Sequence, residues 1–94
     1  MKRVALLIDG KMIDAEGGKI FKRINPISGE VSTEAAAAQP KDIALAIESA
    51  QRGFLIWSAL NPTERRKRLL KAADLMEQRI GDFIQIARKE TGST

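Results

Sequence analysis

The sequence has 94 residues, a formal net charge of +4, and 44% hydrophobic against 30% charged residues, a balance typical of one small folded unit and not of a disordered chain. It contains no cysteine and no histidine, which excludes thiol nucleophiles, disulfides, imidazole bases and the usual zinc ligands. Most familiar kinds of active site are therefore excluded.

The first predicted element is a β-hairpin over about residues 4–14. Asp9 and Gly10 separate the apolar runs VALLI and KMI. An Asp-Gly pair between two such runs favours a type I′ turn, which needs positive φ at both central positions. The run before Asp9 is too short for a signal peptide or a membrane span, so we expect a cytoplasmic chain without a membrane partner.

The next predicted strand is KIFKRI, which follows a turn at AEGG and ends at Asn25 because Pro26 has no N–H to donate to a sheet. The stretch NPISGE can be interpreted as a turn or as the setting of a nucleophilic Ser28. The chain has no histidine base and no G-x-S-x-G motif, which favours a turn with Gly29 at its end. A fourth strand follows near Val31, so the predicted strands span about residues 4–34.

Two to three amphipathic helices follow: α1 over about residues 40–57, α2 over about 62–79 and α3 over about 82–91. Pro40 suits the first position of the first helix. Asn61 is the predicted N-cap of the second helix, with Pro62 after it. Gly81 is expected to separate the second helix from the third, and Gly92 to end the third.

Both helical regions carry an apolar stripe at steps of three and four residues. The α1 stripe consists of Ile43, Ile47, Ala50, Phe54 and Trp57, and the α2–α3 seam consists of Leu69, Ala73, Met76, Ile80, Phe83 and Ala87. Core packing is the favoured interpretation of the seam, and a coiled-coil interface is the alternative. We expect these stripes to be too extensive for the strands and helices of this chain to cover mutually.

The order of several short motifs is more specific than any one of them. They are Phe21 followed by NPISGE, F-x-x-W at Phe54 and Trp57, the pair ER, the run LKAADLME and the triplet ETG. In this order they resemble the N-terminal segment of the NAD(P)-dependent aldehyde dehydrogenase superfamily. Much of that family continues ETG with Lys-Pro, whereas Ser93 and Thr94 follow here. That ending and the run ERRKRLLKAADLMEQR are similar to the branch that acts on aromatic aldehydes.

The resemblance implies that residues 1–94 form a single α+β unit, with short antiparallel strands followed by helices, within a larger α/β enzyme. It implies that the parent enzyme uses a catalytic cysteine thiolate and an NAD or NADP cofactor. The cysteine and the residues that bind the cofactor are expected after position 94. We therefore expect no complete dinucleotide-binding or catalytic domain here, no catalytic or cofactor-binding residue, and no cofactor bound to the piece itself. The expected partners are the rest of the parent chain or another copy of this one, in a homo-oligomer.

The resemblance also implies a monovalent cation site in the full-length enzyme. Family members hold such an ion with backbone carbonyls just before the Asn-Pro step and with an acid near the end of the third helix. The matching positions are Ile24, with Arg23 as a further carbonyl, and Glu90. The alternative for Glu90 is an exposed or ion-paired residue near a helix end.

Two other functions compete with the enzyme fragment. One is a stand-alone helical interaction or oligomerisation module that uses the α2–α3 seam. The other is a small basic nucleic-acid binder that uses RRKR, residues 65–68. Four consecutive residues of a helix point around most of its circumference, so RRKR does not form one basic face. We favour the enzyme fragment and expect no nucleic-acid partner.

Overall fold

The computed structural model describes residues 2–92, which form short strands followed by three helices, as the sequence predicts. The strands are β1 (Lys2–Val4), β2 (Leu6–Ile8), β3 (Lys11–Ile13), β4 (Ile20–Ile24) and β5 (Val31–Ala36). The helices are α1 (Pro40–Ala59), α2 (Pro62–Gln78) and α3 (Ile80–Thr91), and a single 3₁₀ turn spans Glu16–Gly18.

The predicted hairpin is confirmed for β2 and β3, which pair antiparallel. Asp9 and Gly10 join them with φ values of 54° and 72°, the two positive angles that a type I′ turn requires. The predicted first strand is split, however, because Val4 belongs to a different sheet from β2. Ala5 is the residue at which the chain leaves one sheet for the other.

The larger sheet has the strand order β1-β5-β4. The β4–β5 pair is antiparallel, as predicted, and contains a bulge between Arg23 and Ile24. The β1–β5 pair is parallel, which differs from the expected all-antiparallel arrangement, and places Lys2 opposite Thr33. Two parallel strands cannot be joined by a tight turn, so no local sequence motif predicts the pairing of β1 with β5.

The helix starts follow the predicted capping chemistry. Pro40 is the first residue of α1, and Gln39 and Asp42 form a reciprocal capping box there. At the start of α2, the Asn61 side chain accepts a hydrogen bond from the Glu64 N–H at 2.9 Å. Both helices thus satisfy N–H groups that would otherwise have no partner in the first turn.

The break between α2 and α3 lies at Arg79, not at Gly81. Arg79 has φ −110° and ψ 17°, outside the helical range, whereas Gly81 lies in the first turn of α3. Gly92 ends α3 as predicted: it has φ 74° and donates its N–H to the Arg88 carbonyl at 2.9 Å.

Residues 2–92 do not enclose a core. Ala15 is the only buried apolar residue among them, and no large side chain is fully buried. The radius of gyration is 16.6 Å, against about 12 Å for a compact domain of this length. Both apolar stripes remain open, which agrees with the expectation that these elements cannot cover them. None of the helices in this part of the chain combines the length and apolarity needed to cross a membrane.

Candidate functional site

A cleft of about 250 Å³ lies between the larger sheet and the end of α3. α3 packs against β4 and β5, so the cleft joins the last helix to the turn between those strands. Its lining includes four charged side chains, two of each sign. They are Lys2, Lys89, Glu30 and Glu90, and the neutral lining residues include Asn25, Ser28, Ser32, Thr33 and Ile86.

The turn NPISGE forms one wall of this cleft and is held by Asn25. The Asn25 side-chain oxygen accepts hydrogen bonds from the backbone N–H groups of Ile27 at 2.9 Å and Ser28 at 3.3 Å. The Asn25 backbone closes the turn by bonding to Gly29 and Glu30. Ser28 Oγ accepts a hydrogen bond from the Glu30 N–H at 3.2 Å, so this hydroxyl stabilises the turn. These bonds confirm the interpretation of this stretch as a turn.

The end of α3 rests directly on that turn. A Cβ added to Gly92 would lie 3.3 Å from the Pro26 ring and from two carbon atoms of Ile27. This close approach favours a glycine, because Gly92 has a positive φ and a methyl group there would press against Ile27 and Pro26. It fixes the last turn of α3, and with it Glu90, beside the residues that follow β4.

The structure places Glu90 in the same cleft as Asn25, the residue directly after Ile24. Glu90 is half-buried, and the Ile24 side chain is exposed. The third candidate, the Arg23 carbonyl, already accepts a hydrogen bond from Ser32 Oγ at 3.2 Å. Glu90 thus lies beside the turn that follows Ile24, whereas neither Ile24 nor Arg23 lines this cleft.

Within residues 2–92 no group of three or more Asp, Glu, His or Cys side chains is arranged to hold a metal ion. The predicted cation site does not need such a group, because it draws on backbone carbonyls and one carboxylate. Hard cations accept oxygen ligands of both kinds.

Asp42 forms a junction that the sequence predicted only in part. Its carboxylate accepts the Gln39 N–H at 2.8 Å, as a residue of the first helical turn can, but it also accepts the Glu16 N–H at 3.0 Å. Asp42 is buried, and these two backbone hydrogen bonds hold its pKa below the ordinary value. The junction ties the 3₁₀ turn to the start of α1.

A second junction ties the β2–β3 hairpin to α1. Arg52 donates to both carboxylate oxygens of Asp9, at 2.8 and 2.9 Å, and the Asp9 N–H donates to Ser49 Oγ at 3.3 Å. Hydrogen bonds from Ser49 and Arg52 lower the pKa of Asp9. Ser49 and Arg52 are three residues apart on one helix face, a spacing that could have suggested a shared partner.

The chain lacks the residues that hold a dinucleotide in the common strand–turn–helix unit. No two of its seven glycines are separated by a single residue, as the phosphate-binding turn of that unit requires. The strands of residues 2–92 are joined by hairpins and turns and precede all three helices. The groups present therefore do not fit a nicotinamide dinucleotide by themselves.

Comparison with known proteins identifies the class. Residues 12–94 match the sequence pattern of the Aldehyde dehydrogenase family. The chain therefore belongs to the aldehyde dehydrogenase family, and it has the fold of that family's N-terminal part.

Its relatives include enzymes named for aromatic aldehydes. The chain is 46% identical over 93 residues to vanillin dehydrogenase of Pseudomonas fluorescens and 38% identical over 92 residues to salicylaldehyde dehydrogenase of Pseudomonas putida. These matches cover 99% and 98% of this chain but 19% of each relative. The chain thus spans about a fifth of the length of the curated relatives that it matches.

Solved structures agree with this placement. The salicylaldehyde dehydrogenase of Pseudomonas putida G7, complexed with salicylaldehyde, superposes with a TM-score of 0.93 at 38% identity, over 100% of this chain and 19% of that one. PnpE in complex with nicotinamide adenine dinucleotide gives a TM-score of 0.89 at 38% identity, over 95% of this chain and 18% of that one.

Proposed function

We propose that these 94 residues are the N-terminal segment of an NAD(P)-dependent aldehyde dehydrogenase that oxidises aromatic aldehydes to carboxylic acids. The observation that carries the proposal is the 46% identity to vanillin dehydrogenase over nearly the whole chain, combined with coverage of only 19% of that relative. The near absence of buried apolar residues supports it, since the segment lacks a core of its own.

Within that enzyme the segment serves as scaffold. It has no cysteine to supply the thiolate nucleophile of the family. It also has no glycine pattern that would bind a dinucleotide. We propose that residues 1–94 form one structural unit without a complete catalytic or cofactor-binding domain and are catalytically silent alone. NAD or NADP would be held by later residues of the enzyme.

The proposal is tested by following the reading frame beyond residue 94 and expressing the enzyme it encodes. We expect a dinucleotide-binding βαβ unit, a catalytic cysteine, and faster oxidation of salicylaldehyde and vanillin than of acetaldehyde with NAD. Assays with NADP in parallel decide the cofactor. Faster oxidation of short aliphatic aldehydes would contradict the aromatic substrate class and leave the family intact, and the lack of a cysteine would contradict the enzyme itself.

We further propose that the full-length enzyme binds a monovalent cation through the Ile24 carbonyl, with Arg23 as a further candidate, and the Glu90 carboxylate. The shared cleft of Glu90 and Asn25 supports this site. Calorimetry with sodium and potassium chloride tests it: Glu90→Ala should weaken the response to the ion, and Glu77→Ala, on exposed α2, serves as the matched control. An unchanged ion response of Glu90→Ala would remove Glu90 from the site.

We also propose that the whole enzyme is a cytoplasmic homo-oligomer without a nucleic-acid partner. The open edges of the larger sheet, at β1 and β4, support pairing with another subunit. Cell fractionation, sedimentation of the full-length enzyme, and its retention on DNA or RNA as a function of salt test the three parts of this proposal.

A further inference from the structure

The chain exposes far more surface than a monomer of its mass should. Its solvent-accessible surface is 7603 Å² at a mass of 10.3 kDa. A compact monomer of that mass exposes about 5,400 Å², so roughly 2,200 Å² is in excess. An excess of that size on one chain corresponds to the largest class of protein interfaces, which form permanent and apolar contacts.

The most apolar part of this surface is a groove on α1. Ile47, Ala50, Gln51, Phe54 and Leu55 line an open space of about 450 Å³. Phe54 is 67% exposed and Leu55 is 69% exposed, so the described residues leave the groove uncovered. Large aromatic and aliphatic side chains in such a position gain most when another surface removes them from water.

Gly53 gives a second and independent sign that something approaches α1. It lies on the same helix face as Ala50 and Trp57, three residues after one and four before the other. A glycine inside a helix costs about 1 kcal/mol relative to alanine. A Cβ at Gly53 would meet no atom within 4 Å, so residues 2–92 give no reason for the glycine. Close contact with a further backbone would give one.

We propose that the α1 groove, together with the α2–α3 seam, is a docking surface for the polypeptide that follows residue 94, and that the two pieces bind each other when supplied as separate chains. This inference rests on the proposed function. The relatives are about five times longer than this chain, so most of each matched enzyme lies outside the matched part. A surface excess of this size is enough to hold two separate chains together. A peptide bond between them would add chiefly a higher effective concentration of one piece near the other.

The remainder of the enzyme is favoured over a second copy as the occupant. The excess surface extends over α1, α2 and α3, in a chain that measures 47 × 34 × 15 Å. A body several times larger can contact all three helices at once. A second copy is no larger than this chain. It would have to present a complementary surface of the same size, and its own apolar faces would have to be covered as well.

The experiment co-expresses the tagged 94-residue chain with an untagged chain that starts at residue 95 of the same reading frame. The contiguous enzyme is assayed beside the pair with the same aldehydes. We expect the untagged chain to be captured by the tag and the pair to oxidise vanillin or salicylaldehyde, with neither chain active alone.

Variants of α1 locate the docking surface. Phe54→Glu in the tagged chain should lower capture at least tenfold, because it places a charge in an apolar contact. Phe54→Leu should retain capture, and Lys41→Glu, a charge change on exposed α1 before the groove begins at Ile47, should leave capture unchanged. Equal capture by Phe54→Glu and Lys41→Glu would overturn the assignment of the groove.

The outcomes separate the inference from the proposed function. An active contiguous enzyme with no capture and no activity of the split pair overturns the docking inference alone. A contiguous chain that oxidises no aldehyde overturns the proposed function. A tagged chain that forms a stable dimer and excludes the second piece shows that a second copy occupies the surface, and also overturns the inference.

Discussion

Gly92 lies so close to Ile27 that a Cβ on the glycine would be 3.3 Å from both Cγ1 and Cδ1 of the isoleucine. The end of the last helix and the turn between β4 and β5 are therefore built against each other, although 64 positions separate the two residues in the sequence. This contact holds Glu90 in the cleft beside Asn25.

Gly92→Ala is expected to destabilise the fold by about 1–2 kcal/mol, because an L-residue at positive φ is strained. The added methyl group also presses on Ile27 and Pro26. Urea denaturation followed by circular dichroism measures the change, at one fixed chain concentration because association couples stability to concentration. An unchanged midpoint would show that the α3 end moves away from the turn at little cost.

Gly53→Ala is the matched glycine substitution and is expected to act in the opposite direction in the 94-residue chain. Gly53 is helical and its surroundings are open, so alanine should stabilise the chain by up to about 1 kcal/mol. In the full-length enzyme we expect the same substitution to lose this gain or to destabilise, since a docked backbone would leave no room for the methyl group. A stabilisation of equal size in both proteins would argue against close contact at Gly53.

Asn25→Ala is expected to cost about 1–2 kcal/mol of unfolding free energy, because two backbone N–H groups of the NPISGE turn lose their side-chain acceptor. Asn25→Asp keeps an oxygen acceptor at the same position and should cost clearly less. Thermal unfolding of both variants beside the parent chain provides the measurement. Equal losses for the two variants would mean that the acceptor oxygen does not hold the turn.

Stability should fall at acid pH through Asp42. Its pKa is lowered in the folded chain from the ordinary 3.8 by the N–H groups of Gln39 and Glu16. The contribution of Asp42 is therefore fully present above the unfolded value and is lost as the pH falls through the lower folded value.

We expect Asp42→Asn to flatten the dependence of the unfolding midpoint on pH below about pH 4, the unfolded range for an aspartate. Asp74→Asn, on exposed α2, should leave the profile of the parent chain unchanged. Unfolding curves across the acid range test this. A parent-like profile in Asp42→Asn would assign the acid sensitivity to another carboxylate.

The isolated 94-residue chain should associate at micromolar concentration, bind no NAD and oxidise no aldehyde. Its uncovered apolar surface and open sheet edges favour association. The charge of +4 opposes it weakly, because charges are screened within about 8 Å at physiological salt. Sedimentation velocity distinguishes an oligomer from a monomer. A monomer with a cooperative melt would favour a stand-alone module over the enzyme fragment.

Sequence reasoning succeeded where the physical cause is local. The turn at Asp9 and Gly10 and the cap at Asn61 follow from residue types within a few positions of each other. Two features depend on contacts that no local pattern encodes: the reach of Asp42 to Glu16 and the parallel register of Lys2 with Thr33. The helix break lies at Arg79, two residues before the predicted Gly81, because the glycine is accommodated in the first turn of α3.

The neighbourhood of Glu90 was predicted from the family resemblance and not from spacing. The position of Glu90 depends on how α3 packs on the sheet. That packing involves two distant parts of the sequence, Gly92 and the turn near Ile27. Neither residue reveals the contact alone, since a glycine after a helix is common at any helix end.

The parallel pairing of β1 with β5 has a consequence for how the chain assembles during synthesis. Each hairpin can close as soon as its own two strands exist, because the loop to be closed is short. Lys2–Val4 is made before the other four strands, but its partner is Val31–Ala36, so it must wait until both hairpins have emerged. β1 is then the last strand to join the larger sheet.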